Sequence, residues 1–146
     1  MIETKPTKLA AQYELLRLEK LRDYQILDTH SEDTFDKIAL MASQVFNTPY
    51  AFITFVDETR VFVKSNLSDL NVKEVERDAS LCNGSINEDH VTVIQDTATL
   101  PNYKACEIAY NAGIRFYAGA PLKTPEGYNV GMLCVCDKIV RDATPV

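Results

Sequence analysis

Residues 128–137 constrain the fold more than any other part of the chain. Apolar side chains occupy both alternating sets there: Val130, Met132, Cys134 and Cys136 on one, Leu133 and Val135 on the other. Successive side chains of a strand point to opposite faces, so such a strand must be covered on both sides and belongs in the middle of a sheet. The preceding segment, 115–122, supplies a neighbour. Phe116, Ala118, Ala120 and Leu122 share one face, with Arg115 and Tyr117 on the other. Thr124-Pro125-Glu126-Gly127 joins the two as a turn with Pro second and Gly fourth.

The same period of two marks residues 50–57 and 60–65, a hairpin across Asp57-Glu58-Thr59-Arg60, and a short strand at 91–95. Residues 66–77 read as a polar loop, and 78–87 hold one short helical turn. Elsewhere the period is helical. In residues 8–24, Leu15, Leu18 and Leu21, then Leu27, form a narrow seam, with Glu14, Arg17, Glu19, Lys20 and Arg22 on the other sides. A second helix starts at Ser31 as N-cap, with Glu32 and Asp33 complementing its dipole. Phe35, Ile38, Ala39, Ala42, Val45 and Phe46 make one apolar face, and Asn47-Thr48-Pro49 ends it. A third helix begins around Pro101, carries Tyr103, Cys106 and Tyr110 on one side, and stops at Gly113. The order predicts an α+β domain with helices packed on a central antiparallel sheet of about five or six strands.

A chain of 146 residues suits one domain. No apolar run approaches the ~20 residues of a membrane span. The N-terminal stretch, with Glu3, Lys5 and Lys8, lacks the apolar core of a secretory signal. A cytoplasmic location without membrane insertion is therefore expected. The formal charge is −6, and residues 66–96 carry seven acids against two bases. No basic, aromatic-studded stripe offsets them, which argues against nucleic acid as a partner. The four cysteines form no C-x-x-C, and His30 and His90 are isolated, so no metal site is expected and the thiols read as reduced. Cys134 and Cys136 fall on one strand face as small core hydrophobes. No Ser/His/Asp order, P-loop or H-E-x-x-H occurs, and no catalytic residue is nominated.

Several strings resemble the bacterial GAF domain. Glu19-Lys20-Leu21-Arg22-Asp23-Tyr24-Gln25-Ile26-Leu27-Asp28-Thr29, followed by Phe35-Asp36-Lys37-Ile38, is similar to the start of such a domain. Ala51-Phe52-Ile53-Thr54-Phe55-Val56-Asp57 and Phe62-Val63-Lys64-Ser65 are similar to its first hairpin. Arg77-Asp78-Ala79-Ser80-Leu81-Cys82 resembles the R-x-x-S-[FL]-C segment of one subgroup. Ile114-Arg115-Phe116-Tyr117-Ala118-Gly119-Ala120-Pro121-Leu122 and Gly131-Met132-Leu133-Cys134-Val135-Cys136-Asp137 resemble its last two strands. The resemblance covers about residues 15–141. It implies a GAF/PAS-like sheet at 29–141, an N-terminal signalling and dimerisation helix at 1–28, and a tail at 142–146 cut short of the usual exit helix. It also implies a sensory module in signal transduction, part of a sensor histidine kinase of a two-component system, a diguanylate cyclase or similar. Such a module would form a homodimer through the N-terminal helix and relay to an output domain outside the chain.

The ligand is a separate matter, because a fold does not dictate a function. The Asn-Lys-Phe segment of cyclic-nucleotide GAF domains is missing, which argues against cyclic GMP. No cysteine is followed by His, which argues against a covalent bilin. Haem would have only His30 or His90 as an axial ligand. The cofactor stays unknown, as does the small molecule. Its candidate contacts are Arg77, Cys82, Asp96, Tyr103, Arg115 and Tyr117, between the second strand and the Arg115 strand, where connections on a rigid sheet carry binding groups. Arginine forks suit anions, and tyrosines suit the apolar part of a guest. Each has a plainer role: Arg77 and Arg115 pairing with nearby acids such as Asp78 or Asp96, Asp96 as a cap, Cys82 as a buried thiol. A second functional expectation is a free methionine sulfoxide reductase of GAF type, or a thiol-based redox sensor. In the reductase Cys82 would be the nucleophile and Cys106 the resolver.

Overall fold

A computed structural model describes residues 8–142. Six antiparallel strands form one sheet: β1 (Tyr50–Val56), β2 (Arg60–Leu67), β3 (Glu74–Glu76), β4 (Thr92–Ile94), β5 (Phe116–Lys123) and β6 (Asn129–Asp137), in the order β3-β2-β1-β6-β5-β4. The doubly apolar strand β6 lies between β1 and β5, as its pattern predicts. The fold is α+β, as expected. Among the described residues no helix is long and apolar enough to cross a membrane.

One face of the sheet carries two long helices, α1 (Lys8–Asp23) and α2 (Asp33–Phe46). Leu21 of α1 packs on Ile53, Phe55 and Val130, and Ala39 and Ala42 of α2 pack on Ala51, Phe116 and Val135. The expected leucine seam divides. Leu18 and Leu21 are buried, but Leu15 is 68% exposed. Arg17, assigned from the sequence to an outer side, is instead completely buried. It donates to the carbonyls of Val56 (2.8 Å) and Asn129 (3.3 Å) and pairs with Glu14 at 2.9 Å.

The second helix starts at Asp33 rather than after Ser31, and Glu32 precedes it without a side-chain cap. The Glu32 carboxylate is engaged elsewhere, 2.6 Å from the buried Lys64 ammonium. Asn47, at φ 52°, closes the helix where expected. The apolar face of α2 is narrower than its sequence suggests: Ala39 and Ala42 are buried, whereas Ile38, Val45 and Phe46 are exposed. Two alanines over Ala51 bring the helix close along a thin line, and larger flanking side chains are left outside it.

The other face is covered by short pieces: a 3₁₀ turn at Arg77–Ala79, α3 (Cys82–Ser85), turns at Thr97–Thr99 and Tyr103–Ala105, and α4 (Glu107–Ala112). Two expectations change here. The 66–77 loop contains edge strand β3, whose single apolar residue, Val75, is too little for a period-two signal; charged Glu74 and Glu76 flank it. The helix expected from Pro101 begins only at Glu107, because Cys106 (φ −82°, ψ 71°) breaks the run. Gly113, at φ 74°, ends it in the left-handed conformation that favours glycine.

A register shift between Ile53 and Thr54 decides what β2 shows to each face. Val63 pairs with Thr54 and Ser65 with Ile53, so these two residues, normally on one face, diverge. Val61 and Val63 turn toward the α3–α4 side. Ser65 donates to Asp36 of α2 at 2.6 Å.

Candidate functional site

Short covers leave space. Between the sheet and the segments 70–82 and 108–114 lies a cavity of about 90 Å³, open to solvent on one side. Phe52, Thr54, Val61 and Val63 form its floor with Tyr117 and Cys134, and Leu81, Cys82, Ile108 and Ala109 stand over it. A groove of about 900 Å³ lies between β2 and the α1–α2 connection. Four of its charged groups are already engaged: Lys64 with Glu32 (2.6 Å), Asp36 with Ser65 (2.6 Å), and Asp28 and Glu74 with Arg60 (2.6 and 3.0 Å). The smaller cavity is the candidate site, because its walls are not committed to ion pairs.

Its polar atoms form one cluster. The Cys82 thiol lies 3.6 Å from the Thr54 hydroxyl and accepts from the Tyr117 hydroxyl at 3.6 Å. Ser85 hydrogen-bonds the Tyr117 oxygen at 2.9 Å. Cys82 also contacts the Cys134 thiol, and Cys134 contacts Cys136. The hydrogen bond with Cys134 and then burial push the Cys82 thiol well above its ordinary value. The contact with Cys136 and burial raise Cys134 likewise. Burial, with Cys82 and Cys134 nearby, does the same to the Tyr117 phenol. All three groups are neutral at physiological pH. Among the described residues no group of three His, Cys, Asp or Glu side chains could hold a metal ion.

Of the six residues nominated from the sequence, Cys82 and Tyr117 line the cavity together. Arg77 stands beside it, donating to Asn83 (3.0 Å), to the Asp57 carbonyl (3.1 Å) and to Glu14 of α1 (2.7 Å). Its acid is thus on the first helix, not the adjacent Asp78. Asp96 caps the Thr97–Thr99 turn by accepting from Ala98 N–H at 3.0 Å and pairs with Arg115 at 2.9 Å. The Arg115 hydrogen bond, and then that of Ala98, hold the Asp96 carboxyl low. Tyr103 is buried and donates to the Ile114 carbonyl at 2.6 Å. Asp96, Tyr103 and Arg115 therefore fasten the chain leading into β5 and do not reach the cavity. Cys106 is buried, is not among the residues that line the cavity, and has its thiol raised by burial.

Sequence reasoning missed Arg17, Glu14 and Thr54. Glu14 sits between two guanidiniums, Arg17 and Arg77. Burial alone would raise its carboxyl, but hydrogen bonds from Arg17 and Arg77 outweigh that and lower it from 4.5 to about 2. An acid and an arginine three apart in a helix full of charges give no signal of burial. Thr54 interrupts an apolar strand, and that interruption was the available cue.

Residues 30–145 match the family model of the GAF domain. The chain belongs to this family. It is 34% identical over 119 residues to a cyclic di-GMP phosphodiesterase of Pseudomonas aeruginosa, covering 80% of this chain and 20% of the relative. The chain thus spans about a fifth of that protein's length. Two solved structures share the fold. Free methionine-R-sulfoxide reductase from Neisseria meningitidis, in complex with its substrate, is 14% identical with a TM-score of 0.62, covering 99% of this chain and 84% of that one. The GAF domain of an Acinetobacter phosphoenolpyruvate-protein phosphotransferase is 12% identical with a TM-score of 0.62, covering 90% and 80%.

Proposed function

We propose that the chain is a cytoplasmic, non-catalytic sensory module of a longer signalling protein. A small molecule in the cavity would bias the setting of α1, and α1 would pass that bias to an output domain. The observation that carries this reading is the chain of contacts from cavity to helix. Arg77, bonded to Asn83 in the α3 cover, reaches Glu14, and Glu14 holds the buried Arg17. A guest that moves α3 changes Arg77 and so the anchoring of α1. Such a guest acts only through its different affinity for the two settings. The likeness to a cyclic di-GMP phosphodiesterase supports an output in cyclic di-GMP turnover over a histidine kinase.

The test is amide hydrogen exchange on protein carrying its co-purifying molecule, identified by native mass spectrometry, and on protein stripped of it. Exchange in α1 should differ between the two, and Arg77→Gln should abolish the difference. Unchanged exchange in α1 would remove the relay. Dimerisation belongs to the same reading, with Leu15 and Leu16 as the outward side chains of α1. A monomer mass at every concentration would overturn it.

A second reading, reduction of free methionine sulfoxide, rests on the contact between Cys82 and Cys134. Cys134 replaces Cys106 as the partner within reach. Turnover of methionine sulfoxide with a thiol reductant, abolished by Cys82→Ser, would establish it over the sensory reading.

A further inference from the structure

We infer that the cavity selects uncharged, mainly apolar guests: a small hydrocarbon body carrying at most one hydrogen-bonding group, directed at the Thr54–Cys82–Tyr117 cluster. This rests on the reading of the cavity as the ligand site and goes beyond it by naming the class of ligand.

The walls contain no Asp, Glu, Lys, Arg or His side chain. Of ionisable groups only thiols and a phenol line it, and Cys82, Cys134 and Tyr117 are held in their neutral forms. The two arginines nominated as anion-binding forks are turned to other work, Arg77 on Glu14 and Arg115 on Asp96. A charged group entering the cavity would lose its hydration and find no counter-charge, and the Tyr117 hydroxyl that could bond it is already shared with Ser85 and Cys82.

Size narrows the class further. A dry apolar cavity of about 150 Å³ holds benzene. In proportion, the 90 Å³ here encloses about four non-hydrogen atoms. The remainder of a longer guest would extend through the mouth past Ile108, which is 38% exposed. The polar cluster is also largely self-satisfied, since Tyr117 already bonds Ser85 and Cys82. One hydroxyl or carbonyl can join it, but a guest rich in polar groups cannot be matched. A cyclic dinucleotide fails on both size and charge, and so does the zwitterion of methionine sulfoxide on charge. If the output turns over cyclic di-GMP, this cavity therefore reports on a different, uncharged molecule.

The experiment titrates the chain at neutral pH with isobutanol and 2-butanone, and with isobutyrate and isobutylamine as charged counterparts of like shape. Methyl NMR follows Val61, Val63, Ile108 and Ile114. The neutral pair should shift these resonances saturably, and the charged pair should bind about 100-fold more weakly or not at all. Ala109→Phe, which fills the cavity, should abolish the shifts while the Leu21 and Leu133 methyls on the opposite face keep their native positions. Ile108→Lys, a change at the exposed mouth, should raise isobutyrate affinity at least about 10-fold. Isobutyrate binding as tightly as isobutanol to the unaltered chain overturns the inference and leaves the cavity a ligand site. Shifts by none of the four, or only outside the cavity, overturn both.

Discussion

The two faces of the sheet are covered in opposite ways. One carries helices of 16 and 14 residues, with Arg17 and Lys64 sealed beneath them and engaged by acids and carbonyls. The other carries helices of four and six residues and isolated turns, with neutral thiols and hydroxyls beneath. Long helices repeat their apolar stripe over several turns and lie flat on a sheet. A four-residue helix cannot do so, and the gaps around it become the cavity. Rigidity and openness are thus separated by sheet face, and Arg77–Glu14 is where they meet. Short covers over a broad helical base suit a binding region, since binding segments are drawn from elements with few packing contacts.

Arg17→Ala should damage the helical face most. Two carbonyls would lose their donor and Glu14 one of its two guanidiniums, so unfolding free energy should fall by about 3–5 kcal/mol in a denaturant titration. A loss below about 1 kcal/mol would mean that the helical face does not depend on this buried charge. Gly131→Ala comes next. A Cβ there would run into the Thr54 carbonyl and crowd Phe55. The expected cost is about 1–3 kcal/mol by the same measurement.

A pH-confined effect follows from Glu14. Its folded carboxyl lies at about 2 against an ordinary 4.5. A group lowered on folding contributes fully above the unfolded value and loses that contribution as pH falls through the folded one. Wild-type stability should therefore decline between about pH 4.5 and pH 2, and Glu14→Gln should flatten that part of the profile. An identical slope in the variant would assign the acid sensitivity to other groups. The smallest effect is Val63→Ile, which adds one methylene to the cavity wall. Having space to enter, it should change stability by less than about 1 kcal/mol, in contrast with Gly131→Ala. A cost as large as that of Gly131→Ala would mean the cavity is no softer than the packed face.

The sheet was legible in the sequence wherever an element was long or its punctuation strong. The position of β6 followed from apolar residues on both its faces, the end of α2 from Asn47-Thr48-Pro49, and the end of α4 from Gly113. Short elements were not legible. Three residues of β3 carry one apolar side chain, too few for any period to emerge. Of the candidate site, Cys82 and Tyr117 were readable because one string placed the thiol beside a turn and another placed the phenol opposite the apolar face of β5. Asp96, Tyr103 and Arg115 fit the same chemistry but were drawn into fastening β5.

Residue order was enough for the central position of β6, the α+β order, the GAF resemblance and the acidic balance of charge. All of these are properties of pattern, carried by side-chain period and local turn chemistry. Tertiary structure alone decided which charges are buried and which apolar residues are not. Arg17 and Leu15 lie two positions apart in one helix, and their exposures are the reverse of their hydropathy. Burial there depends on what the facing surface offers: free carbonyls at Val56 and Asn129 for the guanidinium, and no sheet residue for the leucine. The register shift at Ile53/Thr54 belongs to the same class. It turns Val63 into the cavity and Ser65 onto α2, and no period within β2 can encode an offset that exists only between two strands.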